Sequence, residues 1–246
     1  MRKYTTIVLL IVLLASCAAD GDNFMLGPGD GAVGIAGSTS RFIIKGEYLY
    51  IATDTKLKVM RLQENGATEV SSLPSLGDLQ TIFSYGDYLF LGSESGVYIY
   101  DIQDRAAPEF LSIYWHQTAC DPVIVQGRFA YLTIRDGVNC RGEVANQLIT
   151  LDITDVMEPI AVDTIQMISP RGLTIYQGDL YVGEGFAGLK RFDISSPYQP
   201  KLDTFYTQVP ANDMIALESH LIITESNGVN QYVLESESLN LLSQIK

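Results

Sequence analysis

One apolar phrase returns five times along this chain: Leu49-Tyr50-Ile51-Ala52, Leu89-Phe90-Leu91-Gly92, Ala130-Tyr131-Leu132-Thr133, Leu180-Tyr181-Val182-Gly183 and Leu221-Ile222-Ile223-Thr224. Successive copies lie 40, 41, 50 and 41 residues apart, so one local insertion breaks an otherwise even period. Self-similarity at such a period marks stacked copies of one unit, none of which can bury its apolar face alone. Each phrase follows a polar turn (Lys45-Gly46-Glu47, Gly86-Asp87, Gln126-Gly127-Arg128, Gln177-Gly178-Asp179, Glu218-Ser219). Ahead of the turn stands another apolar run, such as Phe42-Ile43-Ile44 or Val123-Ile124-Val125, which makes a hairpin. A third strand follows at 57–62, 97–102, 148–153, 189–194 and 229–234, and a fourth comes after a further turn or loop. Residues 86–114 are the cleanest copy.

Four strands per unit, five units and no helical period of ten residues or more predict an all-β chain, a five-bladed β-propeller of about 40-residue four-stranded repeats. The central strands are apolar without alternation, as required when both faces are covered. The blades are expected at about 40–78, 79–118, 119–168, 169–209 and 210–246. A single domain of about 200–250 residues is ordinary for all-β proteins.

Three third strands end in Asp-Ile-polar (Asp101-Ile102-Gln103, Asp152-Ile153-Thr154, Asp193-Ile194-Ser195) and lead into a proline-bearing loop. With Asp193-Ile194-Ser195-Ser196-Pro197-Tyr198-Gln199-Pro200, Leu180-Tyr181-Val182 and Gly188-Leu189-Lys190-Arg191-Phe192-Asp193, this phrasing resembles the LVIVD-repeat family of bacterial β-propeller lipoproteins. The resemblance covers about 41–246. It implies the propeller fold and an envelope location, and no activity. The first and last units depart from it, with Arg61-Leu62-Gln63 and Val233-Leu234-Glu235 in place of Asp-Ile-Ser, which leaves ring closure open.

The N-terminus reads as an address. Arg2 and Lys3 supply a positive n-region, and the apolar run 7–14 is too short for the ~20 residues of a membrane-spanning helix. Leu14-Ala15-Ser16-Cys17 resembles a lipobox, so residues 1–16 are expected to be a lipoprotein signal peptide and Cys17 the lipidated (palmitate-bearing) first residue of the mature protein. More than one acyl chain makes such an anchor stable. Residues 17–39, rich in Gly, Asp, Ala and Ser, read as a flexible tether. Ala18, where an inner-membrane retention signal would carry Asp, favours the outer membrane. Removing Arg2 and Lys3 from the 16 basic residues leaves 14 against 29 acidic, near −15. Such a charge repels the phosphate backbone, and no nucleic-acid partner is expected.

Blade three carries the insertion (135–146), Trp115 and His116 in the loop that enters it, and both remaining cysteines. Two cysteines in an oxidising compartment favour a Cys120–Cys140 disulfide. Closing a loop of about 20 residues contributes about 3 kcal/mol at most. A metal site of His116, Cys120 and Cys140 is the sharper alternative, but only two histidines exist and no C-x-x-C accompanies them. No metal or cofactor is expected.

The innermost strands begin with polar residues: Ser40 and Arg41, Gln80 and Thr81, Asp121, Arg171, Asn212 and Asp213. A channel mouth needs polar groups simply to meet water and neighbouring strands. The functional alternative is a small polar ligand held between Asp121 and Asp213 on one side and Arg41 and Arg171 on the other. Arg135 and Arg141 in the insertion, with Gln80, Trp115 and His116, complete the candidate contact surface. Gly183-Glu184-Gly185-Phe186-Ala187-Gly188 spells G-x-G-x-x-G, but a strand follows it where a dinucleotide site needs a helix, so it reads as a hairpin turn. No nucleophile elbow, P-loop or zinc-protease motif occurs. The function expected is an exported, lipid-anchored binding or interaction module of the envelope, without catalysis. Its partner is either an envelope protein or a small polar ligand. The alternative is a glycosidase-like hydrolase using Asp121 and Asp213 as a carboxylate pair. Thiol titration of the unreduced protein checks the disulfide: Cys120 and Cys140 should be unreactive until reductant is added, and two freely reacting thiols would refute the pairing.

Overall fold

The computed structural model describes residues 37–75, 77–116, 122–136, 146–236 and 238–245. Cys17, Cys120, Asp121, Cys140 and Arg141 lie outside the described residues. The fold is all-β: five four-stranded antiparallel sheets, each built from four consecutive strands, arranged as a β-propeller. Blade one holds β1 (Phe42–Lys45), β2 (Tyr48–Ala52), β3 (Lys56–Gln63) and β4 (Gly66–Pro74). Blade two holds β5 (Leu79–Tyr85), β6 (Tyr88–Ser93), β7 (Gly96–Asp101) and β8 (Glu109–Trp115). Blade three holds β9 (Val123–Gln126), β10 (Phe129–Ile134), β11 (Gln147–Asp152) and β12 (Ile160–Gln166). Blade four holds β13 (Leu173–Tyr176), β14 (Asp179–Gly183), β15 (Leu189–Asp193) and β16 (Lys201–Tyr206). Blade five holds β17 (Asp213–Ala216), β18 (Leu221–Glu225), β19 (Gly228–Glu235) and β20 (Ser238–Ile245).

The five apolar phrases are the second strands, and their faces explain their composition. In the middle blades every residue of Leu89-Phe90-Leu91, Ala130-Tyr131-Leu132 and Leu180-Tyr181-Val182 is buried, with alternate side chains entering cores on opposite sides of the sheet. Leu89 and Leu91 pack on Tyr50 and Val59 of blade one, while Phe90 packs among Val123, Ala130 and Leu132 of blade three. Burying one such side chain contributes roughly 1.5–3 kcal/mol, so each interblade layer is a substantial cohesive unit.

Blades one and five differ. Tyr50 is buried but Leu49 and Ile51 are only partly so; Leu221 and Ile223 are buried but Ile222 is partly so. Cores join blades one to two, two to three, three to four and four to five. Among the described residues no equivalent apolar core joins five to one, and Phe42 on β1 stays 57% exposed.

The repeat's Asp-Ile phrase has a local task. Asp101 Oδ1 accepts from Gln103 N (2.6 Å), Asp152 Oδ1 from Thr154 N (2.8 Å) and Asp193 Oδ1 from Ser195 N (2.8 Å), turning the chain out of the third strand. Burial opposes ionisation of Asp152, yet the Thr154 and Tyr198 donors prevail and hold its carboxyl below the ordinary range. The terminal blades lack the aspartate because they lack the long loop. Gln63 pairs with Gly66 and Glu235 with Ser238, so two-residue turns suffice there.

Four of the largest buried side chains are tyrosines: Tyr50, Tyr98, Tyr131 and Tyr181. Burial pushes the Tyr131 phenol up to about 12 and raises those of Tyr50 and Tyr181 as well. An unfolded tyrosine ionises near 10, so the native state favours the neutral form. That stability is fully present below pH about 10 and is lost as pH rises through the native values. Urea titrations should therefore show a falling midpoint from pH about 9 to 12, with the buried rings ionising only as the chain unfolds. Complete tyrosine ionisation in a still-folded protein would contradict this burial.

Candidate functional site

The loops that enter the blades and the turns joining second to third strands meet at one end of the ring. A cavity of about 380 Å³ opens there, lined among others by Thr39, Gln80, Arg135, Arg171, Asn212 and Asp213. The structure thus brings together four of the candidate residues, Gln80, Arg135, Arg171 and Asp213, with Asn212 beside them.

Asp213, the first residue of β17, does not wait for a ligand. Its carboxylate accepts from Ser38 Oγ (3.2 Å), Thr39 N (3.4 Å), Thr39 Oγ1 (2.5 Å) and Met214 N (2.9 Å). It packs against Gly37 and Gly172 so closely that a methyl group at either would collide with it. Ser38, buried, also accepts from Leu173 N of blade four (2.8 Å), and Ser40 O accepts from Ile82 N of blade two (2.8 Å). The four residues ahead of blade one therefore cross the mouth and tie blades two, four and five to blade one. This polar tie lies where the apolar core between blades five and one is missing.

Arg171 is held from three sides. Its N–H donates to Gly183 O (2.8 Å), and its carbonyl accepts from Thr133 Oγ1 of β10 (2.7 Å). The preceding loop is fixed by the buried Glu184, which accepts from Ile168 N (3.1 Å) and Ser169 N (2.6 Å) and pairs with Lys190 Nζ at 2.6 Å. Gly185, at φ +57°, brings its backbone against the Arg171 side chain. Yet the Arg171 Nε is buried with no hydrogen-bond acceptor among the described residues. Arg135 stands just beyond β10, on the strand end that Thr133 ties to Arg171. Burial and the nearby Arg171 charge lower its pKa from the usual guanidinium value. Among the described residues neither guanidinium has a carboxylate at ion-pair distance.

Arg41 is drawn elsewhere: it pairs with Asp54 (2.5 Å) and donates to Leu79 O (2.8 Å) and Ala52 O (3.3 Å), joining blade one to blade two. Trp115 ends β8 and is 61% exposed on the rim. His116 N donates to Ser95 O (3.1 Å), and its ring lies 6.4 Å from that of Tyr114.

Sequence reasoning missed Ser38 and Thr39, assigned to the tether, and the Glu184–Lys190 pair. A signal for the pair existed: Lys190 occupies the third-strand position held by Tyr98 and Ile149 in blades two and three. The glycine-rich turn is a hairpin turn as expected, but its Glu184 and Gly185 also organise the mouth, and its tip, Phe186, is 77% exposed.

The LVIVD repeat family matches residues 36–60 and 76–115, which fall in blades one and two. The chain is a five-bladed β-propeller with LVIVD repeats in its first two blades. No curated protein matches it in sequence. Among solved structures, the LVIVD-repeat propeller is similar to the periplasmic gluconolactonase of Pseudomonas aeruginosa, at 14% identity and a TM-score of 0.63, over 82% of this chain and 67% of that one. A putative 6-phosphogluconolactonase from Bacteroides uniformis aligns at 15% identity and a TM-score of 0.58, over 81% and 68%. A functionally unknown protein from Desulfotomaculum acetoxidans aligns at 9% and 0.65, over 87% and 69%. At these identities the likeness is one of fold.

Replacing Asp213 tests the tie. Asp213→Ala should cost about 2 kcal/mol, because Ser38 and Thr39 lose their charged acceptor. For a chain of this size that lowers Tm by roughly 4–8 °C, measured by circular dichroism. An unchanged Tm would show that the carboxylate is not a structural tie.

Proposed function

We propose that this propeller is a binding module of the bacterial cell envelope, exported, anchored through lipid on Cys17 to the outer membrane, and taking a small polar ligand into the mouth of its ring. The observation that carries this reading is the state of Asp213. A carboxylate has about four acceptor sites, and four donors from Ser38, Thr39 and Met214 already occupy them. A group so engaged is poorly placed to serve as nucleophile or general base without loosening the ring. Among the described residues the mouth also retains a donor without an acceptor, the buried Arg171 Nε, which suits recognition. Trp115, 61% exposed at the end of the outer strand β8, supplies an aromatic surface for a larger partner.

The hydrolytic reading draws on the neighbours named gluconolactonase and putative 6-phosphogluconolactonase. It makes a sugar lactone the substrate to try, alongside glycosides and esters, with Asp121 and Asp213 as the carboxylates concerned. The full-length protein, solubilised from membranes, should show no hydrolysis of gluconolactone above the spontaneous rate. Turnover that disappears in Asp213→Asn at unchanged Tm would establish the hydrolase instead. In cell fractionation, Cys17→Ala should move the protein from the membrane to the soluble fraction. Unchanged sedimentation would contradict the lipid anchor.

A further inference from the structure

We infer that the mouth is an oxyanion site, in which Arg135 and Arg171 together bind the carboxylate or phosphate of a small polyhydroxylated compound. The inference deepens the binding reading above and rests on it. Two arginines line one cavity of about 380 Å³, a volume within the ~300–1,000 Å³ usual for small-molecule sites. Each lacks a carboxylate partner among the described residues, although the chain carries 29 acidic residues and offers carboxylates to arginines elsewhere. Arg41 has Asp54, Arg61 has Glu47, and Arg191 has Asp179 and Asp203. Among the described residues the mouth thus sets two arginines together with no ion-pair partner for either.

The two guanidinium groups also repel one another, since the Arg171 charge is one reason the Arg135 pKa is lowered. A bound oxyanion would relieve that repulsion and give the buried Arg171 Nε the acceptor it lacks. Planar guanidinium forks match carboxylate and phosphate oxygens, and such charge-assisted bonds are about twice as strong as neutral ones. The one carboxylate among the described lining residues, Asp213, is answered by its own donors. The negative charge on the rest of the surface is screened beyond about 8 Å at physiological salt, so it does not bar an anion from the mouth.

The remaining lining residues suit hydroxyl groups. The side-chain amides of Gln80 and Asn212 face the same cavity and make no hydrogen bond among the described residues. Each offers a carbonyl acceptor and two N–H donors, which complement the alternating donor and acceptor character of a polyol. Arginine for the anionic end and amides for the hydroxylated body form one site of mixed chemistry. The rigid supports of Arg171, through Thr133, Gly183 and Glu184, mean that little ordering is needed on binding.

Isothermal titration of the full-length solubilised protein with gluconate, glucose 6-phosphate, inorganic phosphate and neutral sorbitol tests the inference. Gluconate or glucose 6-phosphate should bind and sorbitol should not, and the preferred anion distinguishes carboxylate from phosphate. Arg135→Gln and Arg171→Gln should each weaken that binding about tenfold or more at unchanged Tm, with Arg135→Lys and Arg171→Lys in between. Arg61→Ala, far out on β3, should leave it unchanged. Sorbitol binding as tightly as gluconate, indifferent to both arginines, would overturn the oxyanion site while leaving a binding pocket. Absence of binding by every probe would also overturn it, and lactone turnover would instead overturn the binding reading itself.

Discussion

A blade can bury its central strands only when another blade lies on each side of it. The sequence of this protein follows from that requirement. Phe90, Tyr131 and Tyr181 and their neighbours can be continuously apolar because alternate residues enter two different cores. Blades one and five meet that requirement only in part. There Leu49, Ile51 and Ile222 retain partial exposure, and the junction of blades five and one is spanned by hydrogen bonds to Asp213 rather than by an apolar core.

That substitution of polar ties for packing shapes the mouth. A carboxylate, two hydroxyls and two glycines do the work of closure at its centre, which removes Asp213 from the groups available to a ligand. Across the same cavity, the Thr133, Gly183 and Glu184 contacts fix the backbone of Arg171, whose buried Nε has no acceptor among the described residues. Residues of two adjacent repeat positions at the start of the innermost strands thus divide into ties, such as Asp213, and donors, such as Arg171.

The architecture was legible because repetition is a one-dimensional signal. The five apolar phrases, their spacing and the positive-φ glycines Gly46, Gly86 and Gly127 in the hairpin turns specify the blades from local chemistry alone. The candidate site was legible in position but not in role. Gln80, Arg171 and Asp213 were placed at the mouth by alignment of the copies, whereas Arg135 was placed only in the insertion that breaks the period, and the cavity brings it to them. Which charge meets which depends on contacts across 175 residues, such as Ser38 to Asp213, and no periodicity encodes those. Arg41 shows the limit well: the strand registers set it one repeat position on from Arg171, where it pairs with Asp54, so two arginines at adjacent positions have opposite fates. Ser38 and Thr39 were hidden by composition, because a Gly- and Ser-rich stretch reads as tether unless its few side chains are known to have partners.

Arginine-specific NMR offers the most direct test of the account. With side-chain Nε–Hε groups labelled and observed during addition of gluconate, Arg135 and Arg171 should shift and saturate together, while the paired Arg41, Arg61 and Arg191 stay in place. Resonances of Arg135 and Arg171 that do not respond, or a response spread equally over all the arginines, would contradict it.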